Sequence, residues 1–305
     1  MVREDPPGSR ERHLLPDVFR FADRASVAGQ RRAIRWYTGQ VTMLLLASAV
    51  AIPDVRARGL DLSPVFSLLA FAGAYYFWER LREERPQRQW YEGRAAAEAM
   101  KSLVWKYAMR ARPFDGRADD PAADGEFRAR MDELLRAFRD SGAVPESAKP
   151  AITEEMRRRR SAPLTVRRDM YLNERVRGQR TWYLDRAQGC ESESVKWSMI
   201  SIAAIILGGV FAVLQILEVI PWHVLGTFTT IGASVAAWTQ LKQYAPLASA
   251  YRMAASELDG LDVQLSRLDL RRPEAEEDWS RLAWEAEETV SRENGVWRAR
   301  RDRGI

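Results

Sequence analysis

Side chains suited to catalysis are scarce in this chain. It has two histidines, His13 and His223, and one cysteine, Cys190, which leaves almost nothing for a histidine-rich metal site, a CxxC motif or an internal disulfide framework. No GxxxxGK[ST] phosphate loop, GxGxxG turn, HExxH pair or GxSxG elbow occurs. Carboxylates are plentiful, but they stand among arginines at three- and four-residue steps, the pattern of a solvated helix surface. Cys190, beside Glu191, reads as a spectator thiol, and His223, close to Pro221, as an interfacial side chain. The expectation is a protein that is not an enzyme, with no catalytic residue, metal or cofactor.

The more informative polar residues lie inside an apolar run. From Trp197 to Leu241 there is no Lys, Arg or Asp and a single acid, Glu218. Within it Ser201, Ala204, Gly208, Ala212, Gln215 and Glu218 recur at three- and four-residue steps, which aligns them on one helix face, and Thr227, Thr230 and Ser234 follow in the same register. Two readings stay open. Small residues let membrane helices approach closely, so the face can be a packing surface; or it lines water once several chains assemble, because Gln215 and Glu218 are costly against lipid. The first half carries a weaker stripe, with Gln40, Ala47 and Ala51, then Ser63, Ser67, Ala70 and Ala74. A four-arginine run, Arg157 to Arg160, has no nucleic-acid recognition module around it, so surface or anionic-lipid contact is expected and no specific nucleic acid.

The elements that would position these residues are four apolar segments in two pairs. Spans are expected over about 36–53 and 62–79, then 197–220 and 222–241. Trp36, Trp78, Trp197, Trp222 and Trp238 stand where interfacial anchors belong. Arginines crowd one side of both hairpins, including Arg31, Arg32 and Arg35 before the first and Arg80, Arg82 and Arg85 after it. The positive-inside rule then puts both termini in the cytoplasm of a multi-pass inner-membrane protein. Shifted by 160 residues, Trp78 falls on Trp238, Leu81 on Leu241, Pro86 on Pro246 and Tyr91 on Tyr251, a parallel internal repeat. Between the halves, Phe127, Met131, Leu134, Leu135 and Phe138 share one face of an amphipathic helix, and Trp279, Leu282, Ala286 and Val290 do so near the end. Strand signals are nearly absent. The fold class is therefore all-α: an integral membrane protein of two tandem transmembrane hairpins, four spans, with long cytoplasmic helices. The division is a disordered tail 1–16, a hairpin domain 17–115, a cytoplasmic linker 116–164, a second hairpin domain 165–292 and a basic tail 293–305.

Two stretches carry a family resemblance. YLNERVRGQRTWYLDRAQ, from Tyr171 to Gln188, leads into a polar helix and a membrane hairpin and resembles the start of a SLATT domain. WYEGRAAAEAMKSLVWKYAMRARPF, from Trp90 to Phe114, is similar to another SLATT subfamily. SLATT domains are prokaryotic two-helix membrane proteins found alongside SMODS nucleotidyltransferases and SLOG nucleotide sensors. The resemblance implies a pore-forming or membrane-perturbing effector in a defence or conflict system, gated by a nucleotide-type signal through a nucleotide-sensing or nucleotide-synthesising cytoplasmic partner. A homo-oligomer in the lipid bilayer is also expected. The alternative is a non-conducting scaffold whose cytoplasmic helices recruit a soluble partner.

The arginine asymmetry yields a topology test. Reporters placed after Arg300 or within residues 120–150 are expected to read cytoplasmic, and one inserted at Arg58 external. A cytoplasmic signal at Arg58 would make the first pair a re-entrant or soluble hairpin.

Overall fold

The computed structural model describes residues 11–52, 56–57, 60–116, 119–139, 142–220 and 224–301. Arg58, Pro221, Trp222 and His223, singled out above, lie outside the described residues.

The chain is built of helices. After a short α1 (Glu11–Leu14) come α2 (Asp17–Val50), α3 (Ser63–Glu84) and α4 (Pro86–Ala108). Then follow α5 (Pro121–Arg139), α6 (Glu154–Ser161) and α7 (Leu164–Tyr171). A π-helical turn (Leu172–Val176) joins α7 to α8 (Arg177–Ile216), and α9 (Leu225–Lys242), α10 (Tyr244–Ser266) and α11 (Ala275–Arg301) complete the chain. The one strand pairing among the described residues joins β1 (Arg56–Ala57) to β2 (Leu60–Asp61) between α2 and α3, with Arg56 opposite Asp61.

Local chemistry sets the ends. Pro121 opens α5, where its missing N–H costs nothing; Asp124 lies in the first turn and Arg136 and Arg139 in the last, complementing the helix dipole. Thr153 caps α6, its hydroxyl accepting from the Met156 N–H at 3.2 Å. The repeat reappears as two breaks. Arg85, with φ 39°, ends α3 before Pro86, because a following proline disfavours the right-handed helical conformation, and Gln243, with φ 48°, ends α9. Each break leads into a helix of 23 residues, α4 or α10.

Two compact units emerge, each drawn from separate stretches of chain. The first comprises Met1–Gln30, Gln87–Arg186 and Ala250–Ile305. Its core is made of large side chains: Trp105, Trp279, Phe114, Phe127 and Met131 are fully buried. Phe127, Met131, Leu135 and Phe138 of α5 and Trp279, Leu282, Ala286 and Val290 of α11 all enter this core, as their spacing predicts. The 116–164 stretch, expected as a linker, thus contributes to the core through α5 and Met156. Within the tail expected to be disordered to residue 16, Glu11–Leu14 form a helix and Leu14 and Leu15 are buried, and the helical backbone of α11 continues to Arg301 through most of the expected basic tail.

The second unit comprises Arg31–Pro86 and Ala187–Ser249 and reverses the size rule. Its buried apolar residues are almost all small: Ala33, Ala47, Ala70, Ala74, Ala187 and Ala204 among them. With the exceptions of Phe21, Val166, Leu184, Met253, Val263 and Trp284, every exposed large apolar side chain among the described residues belongs to this unit. Small inside and large outside is the packing of helices whose solvent is hydrocarbon. One helix among the described residues, the continuous 53-residue run Leu164–Ile216, is long and apolar enough to cross a membrane. The other three expected spans fall short of that length and composition. In α2 the apolar part, Trp36 to Val50, gives only about 22 Å of helix, and α9 is interrupted by threonines and Gln240.

Leu258, Leu261, Leu265 and Leu268 recur at helical spacing that could join helices within or between chains; all four pack into the first unit's own core. Leu265→Ala is therefore expected to lower unfolding free energy by about 2–5 kcal/mol, independent of protein concentration, and Leu265→Asp to prevent folding. If Leu265→Asp kept its melting transition and only reduced particle size, the seam would be intermolecular.

Candidate functional site

The second unit's helices form one bundle through three packed seams. Between α2 and α3, Ser67 donates to the Ala47 carbonyl at 3.2 Å, and Gly39 and Gly73 leave room for Phe77 and Met43: a Cβ at either would come within 3.0 Å of them. Between α2 and α9, the Thr227 hydroxyl donates to the Ser48 carbonyl at 3.1 Å, and the Tyr37 and Trp238 rings lie 6.0 Å apart. This seam unites the two hairpins. Between α8 and α9, Phe211 stacks on Phe228 at 5.4 Å, and a Cβ on Gly208 would meet the Phe228 Cβ at 3.2 Å.

The residues expected on one face of the third span divide along these seams. Ala204 is buried and Ser201, Gly208, Ala212 and Gln215 are half-buried, with Phe228 of α9 seated against Gly208. Glu218 is not on that helix face. The helix ends at Ile216, four residues short of the expected span, and Glu218 takes a left-handed φ of 56° with an exposed side chain. On α9, Thr227 bonds to α2, Thr230 returns its hydroxyl to the Gly226 carbonyl at 2.8 Å and Ser234 is half-buried. In the first half, Ser63, Ala70 and Ala74 are buried, as the weaker stripe predicts for a packing face. Gly39 and Gly73 escaped that stripe, although Gly73 lies next to Ala74.

The described tryptophans mark one end of the bundle's helices. Trp197 and Trp238 are 5.8 Å apart, and Tyr37 lies 6.0 Å beyond Trp238, so three helices share one aromatic cluster. Trp36 donates its indole N–H to Glu84 at 3.0 Å, with Arg35 over its ring at 4.6 Å. Arg82 covers Trp78 at 5.6 Å and Lys242 covers Trp238 at 5.0 Å. Aromatic rings backed by cations suit the boundary between hydrocarbon and headgroups.

In the first unit the chemistry that sequence reasoning missed is a set of buried arginines. Of the four-arginine run, expected to touch the surface or lipid, Arg159 and Arg160 are buried. Arg160 donates to the Tyr107 and Phe114 carbonyls at 3.0 and 2.8 Å and lies 4.8 Å from the Tyr107 ring centre. Arg159 pairs with Glu155 and Glu174, each at 2.8 Å. Arg167 donates to the Met109 carbonyl at 2.8 Å and, from one terminal nitrogen, to both Glu276 oxygens at 2.5 and 2.7 Å, and the Trp279 indole N–H donates to the same carbonyl at 2.8 Å. A helix end leaves its last carbonyls without intrahelical donors, and here guanidinium groups supply them at the end of α4. Burial pulls Arg160 and Arg167 below their ordinary pKa, in Arg167 against the opposing effect of Glu276.

A second clamp lies at the π-helical turn. Arg175 binds Glu287 of α11 through two contacts of 2.9 Å, and the Tyr171 hydroxyl donates to the same carboxylate at 2.9 Å. Burial, reinforced by Glu287, drives the Tyr171 pKa well above its usual value. Burial and a hydrogen bond to Asp124 push Tyr107 up to about 12. Among the described residues no group of acidic, histidine or cysteine side chains could hold a metal ion.

Breaking one side of a buried ion pair strands a charge. Glu287→Leu alone is expected to cost about 3–5 kcal/mol in a denaturant melt, and Arg175→Met with Glu287→Leu to recover most of that loss. Equal losses in single and double variants would remove the clamp from the account.

Two family models match the chain. That for the SMODS and SLOG-associating 2TM effector domain 3 covers residues 16–168, including the stretch expected as a linker, and that for domain 1 covers residues 171–297. No curated protein and no solved structure matches.

Proposed function

We propose that this chain, which belongs to the SLATT family of SMODS- and SLOG-associating 2TM effectors through both of its halves, is a four-span inner-membrane effector that opens or perturbs the bilayer. The observation that carries this reading is the second unit's inverted packing, small side chains within and Leu68, Leu69, Ile205, Ile206 and Val213 facing outward. Such a surface calls for an apolar partner, and in a chain of this family lipid is the one at hand. The shorter apolar parts of α2 and α3 cross if the bilayer thins around them or the tryptophans hold them in register, at a cost of fractions of a kcal/mol per Å. The arginine-rich flanks favour cytoplasmic termini, with the first unit on that side. The signal in this reading is of nucleotide type, relayed by a separate cytoplasmic partner of the SMODS or SLOG kind within a defence or conflict system.

Within one chain Phe228 of α9 fills the α8 face at Gly208, which supports a water path that forms between copies or after α8 and α9 separate. That favours a homo-oligomeric pore with Glu218 exposed at one mouth, where a carboxylate ring attracts cations. The same filled face gives weight to a second reading, a scaffold that recruits a soluble partner without conducting.

Purified protein in liposomes separates the two. A pore releases dye or passes single-channel current on triggering. Glu218→Gln is expected to move the reversal potential in a salt gradient toward zero with insertion unchanged, and Gly208→Leu to reduce flux at least tenfold. Flux indifferent to both substitutions would place the pore elsewhere, and a silent wild type under every trigger, candidate nucleotides included, would leave the scaffold.

A further inference from the structure

A cleft of about 920 Å³ opens in the first unit between the start of α2 and the 145–153 loop that leads into α6. Its back is closed by a hydrogen bond from the Thr153 hydroxyl to the Leu14 carbonyl at 3.0 Å. Its floor is apolar: Leu15 and Val18 are buried there, Ile152 and Ala148 flank them, and Phe21 is 38% exposed along one wall. Its rim is basic, with His13, Arg20, Arg24 and Lys149 around it and Asp17 as the one acid.

The charge at this rim is not neutralised as it is elsewhere. Most arginines of the unit are matched to a nearby carboxylate, as in Arg94–Glu98, Arg128–Asp124 and Arg281–Glu285. Arg24 only donates Nε to the Arg20 carbonyl, at 3.1 Å, and Lys149 has no acidic partner among the described residues. Arg20 is held by Asp17 at 2.5 Å, but that carboxylate is 92% exposed, so the pair is easily exchanged for a stronger anion. Arg20 and Arg24, four residues apart on α2, project from the same side of the helix, and Lys149 lines the cleft from the loop. Several converging cations over an apolar floor match a multiply charged ligand with an apolar or planar body, and the volume is that of a small-molecule site, not of a helix-binding groove.

We infer that this cleft binds a phosphate-bearing organic anion, its charge on Arg20, Arg24 and Lys149 and its uncharged part against Phe21 and Ile152. The ligand is either a soluble phosphate ester or the headgroup of an anionic lipid; both offer the same chemistry. The inference does not depend on conduction, because binding is measured without flux.

The test is calorimetric titration of the full-length protein in zwitterionic nanodiscs with ATP and with inorganic pyrophosphate, alongside lysine-acetylation rates at Lys149 in phosphatidylglycerol and phosphatidylcholine nanodiscs. Saturable ATP binding is expected, weakened at least tenfold by Arg24→Glu with Lys149→Glu and unchanged by Arg130→Glu on α5. Phe21→Ala should weaken ATP more than pyrophosphate. Absence of ATP and pyrophosphate binding, with Lys149 protected only in phosphatidylglycerol and that protection lost in Arg24→Glu, would assign the site to lipid headgroups. Binding indifferent to the double substitution, or neither binding nor protection, would overturn the inference.

Discussion

A helix that serves two solvents has to change what it buries along its own length, and this chain depends on that change. In α2, Leu15 just before it and Val18 and Phe19 in its first turns are core residues, whereas further along Ala33 and Ala47 are the buried ones. In the Leu164–Ile216 run, Tyr171, Leu172 and Val176 are buried and give way to Ala187 and Ala204, with Ile202, Ile205 and Ile206 turned outward. Water rewards burial of large apolar surface, but hydrocarbon does not, so there close contact between backbones decides the fit. One rule about solvent therefore accounts for the composition of both units.

The arginine clamps answer a different requirement. In the first unit, α4 ends inside a core of aromatic rings, where bare carbonyls would be expensive. Arg160, Arg167 and Trp279 supply the missing donors, and the carboxylates of Glu276 and Glu287 balance two of the buried guanidinium charges. These partners come from α6, α7 and α11, so the end of one helix organises segments far apart in sequence. The π-helical turn places Arg175 at the clamp on α11 within a helix that otherwise runs uninterrupted into the apolar stretch.

Periodicity made the faces of helices legible, but not their partners. The apolar faces of α5 and α11 and the small-residue stripe of α3 could be read directly, because burial on one side of a helix leaves a three- and four-residue rhythm. Arg157 to Arg160 could not be read this way. A run of like charges resembles a solvated surface, and the carbonyls that receive Arg160 lie 46 and 53 residues away. The leucines of α10 showed a seam without showing that its partner is the same chain. The end of α8 at Ile216 was hidden because Leu217 and Val219 are as apolar as the helix before them, and only Glu218 in its left-handed conformation marks the turn. The basic-rimmed cleft had no local signature, since α2 and the 145–153 loop are separated by more than a hundred residues.

The membrane reading rests on the outward face of the second unit, and the depth of that face can be measured. Spin labels placed singly at Leu69, Ile205 and Val213 in a Cys190→Ala background, with the protein reconstituted in bilayers, report oxygen and nickel-chelate accessibility by power saturation. The account predicts high oxygen and low nickel-chelate accessibility at all three, the signature of acyl chains around the label. Labels at these positions that are relaxed mainly by the aqueous chelate would place the apolar face in water or against protein and contradict a lipid-embedded bundle.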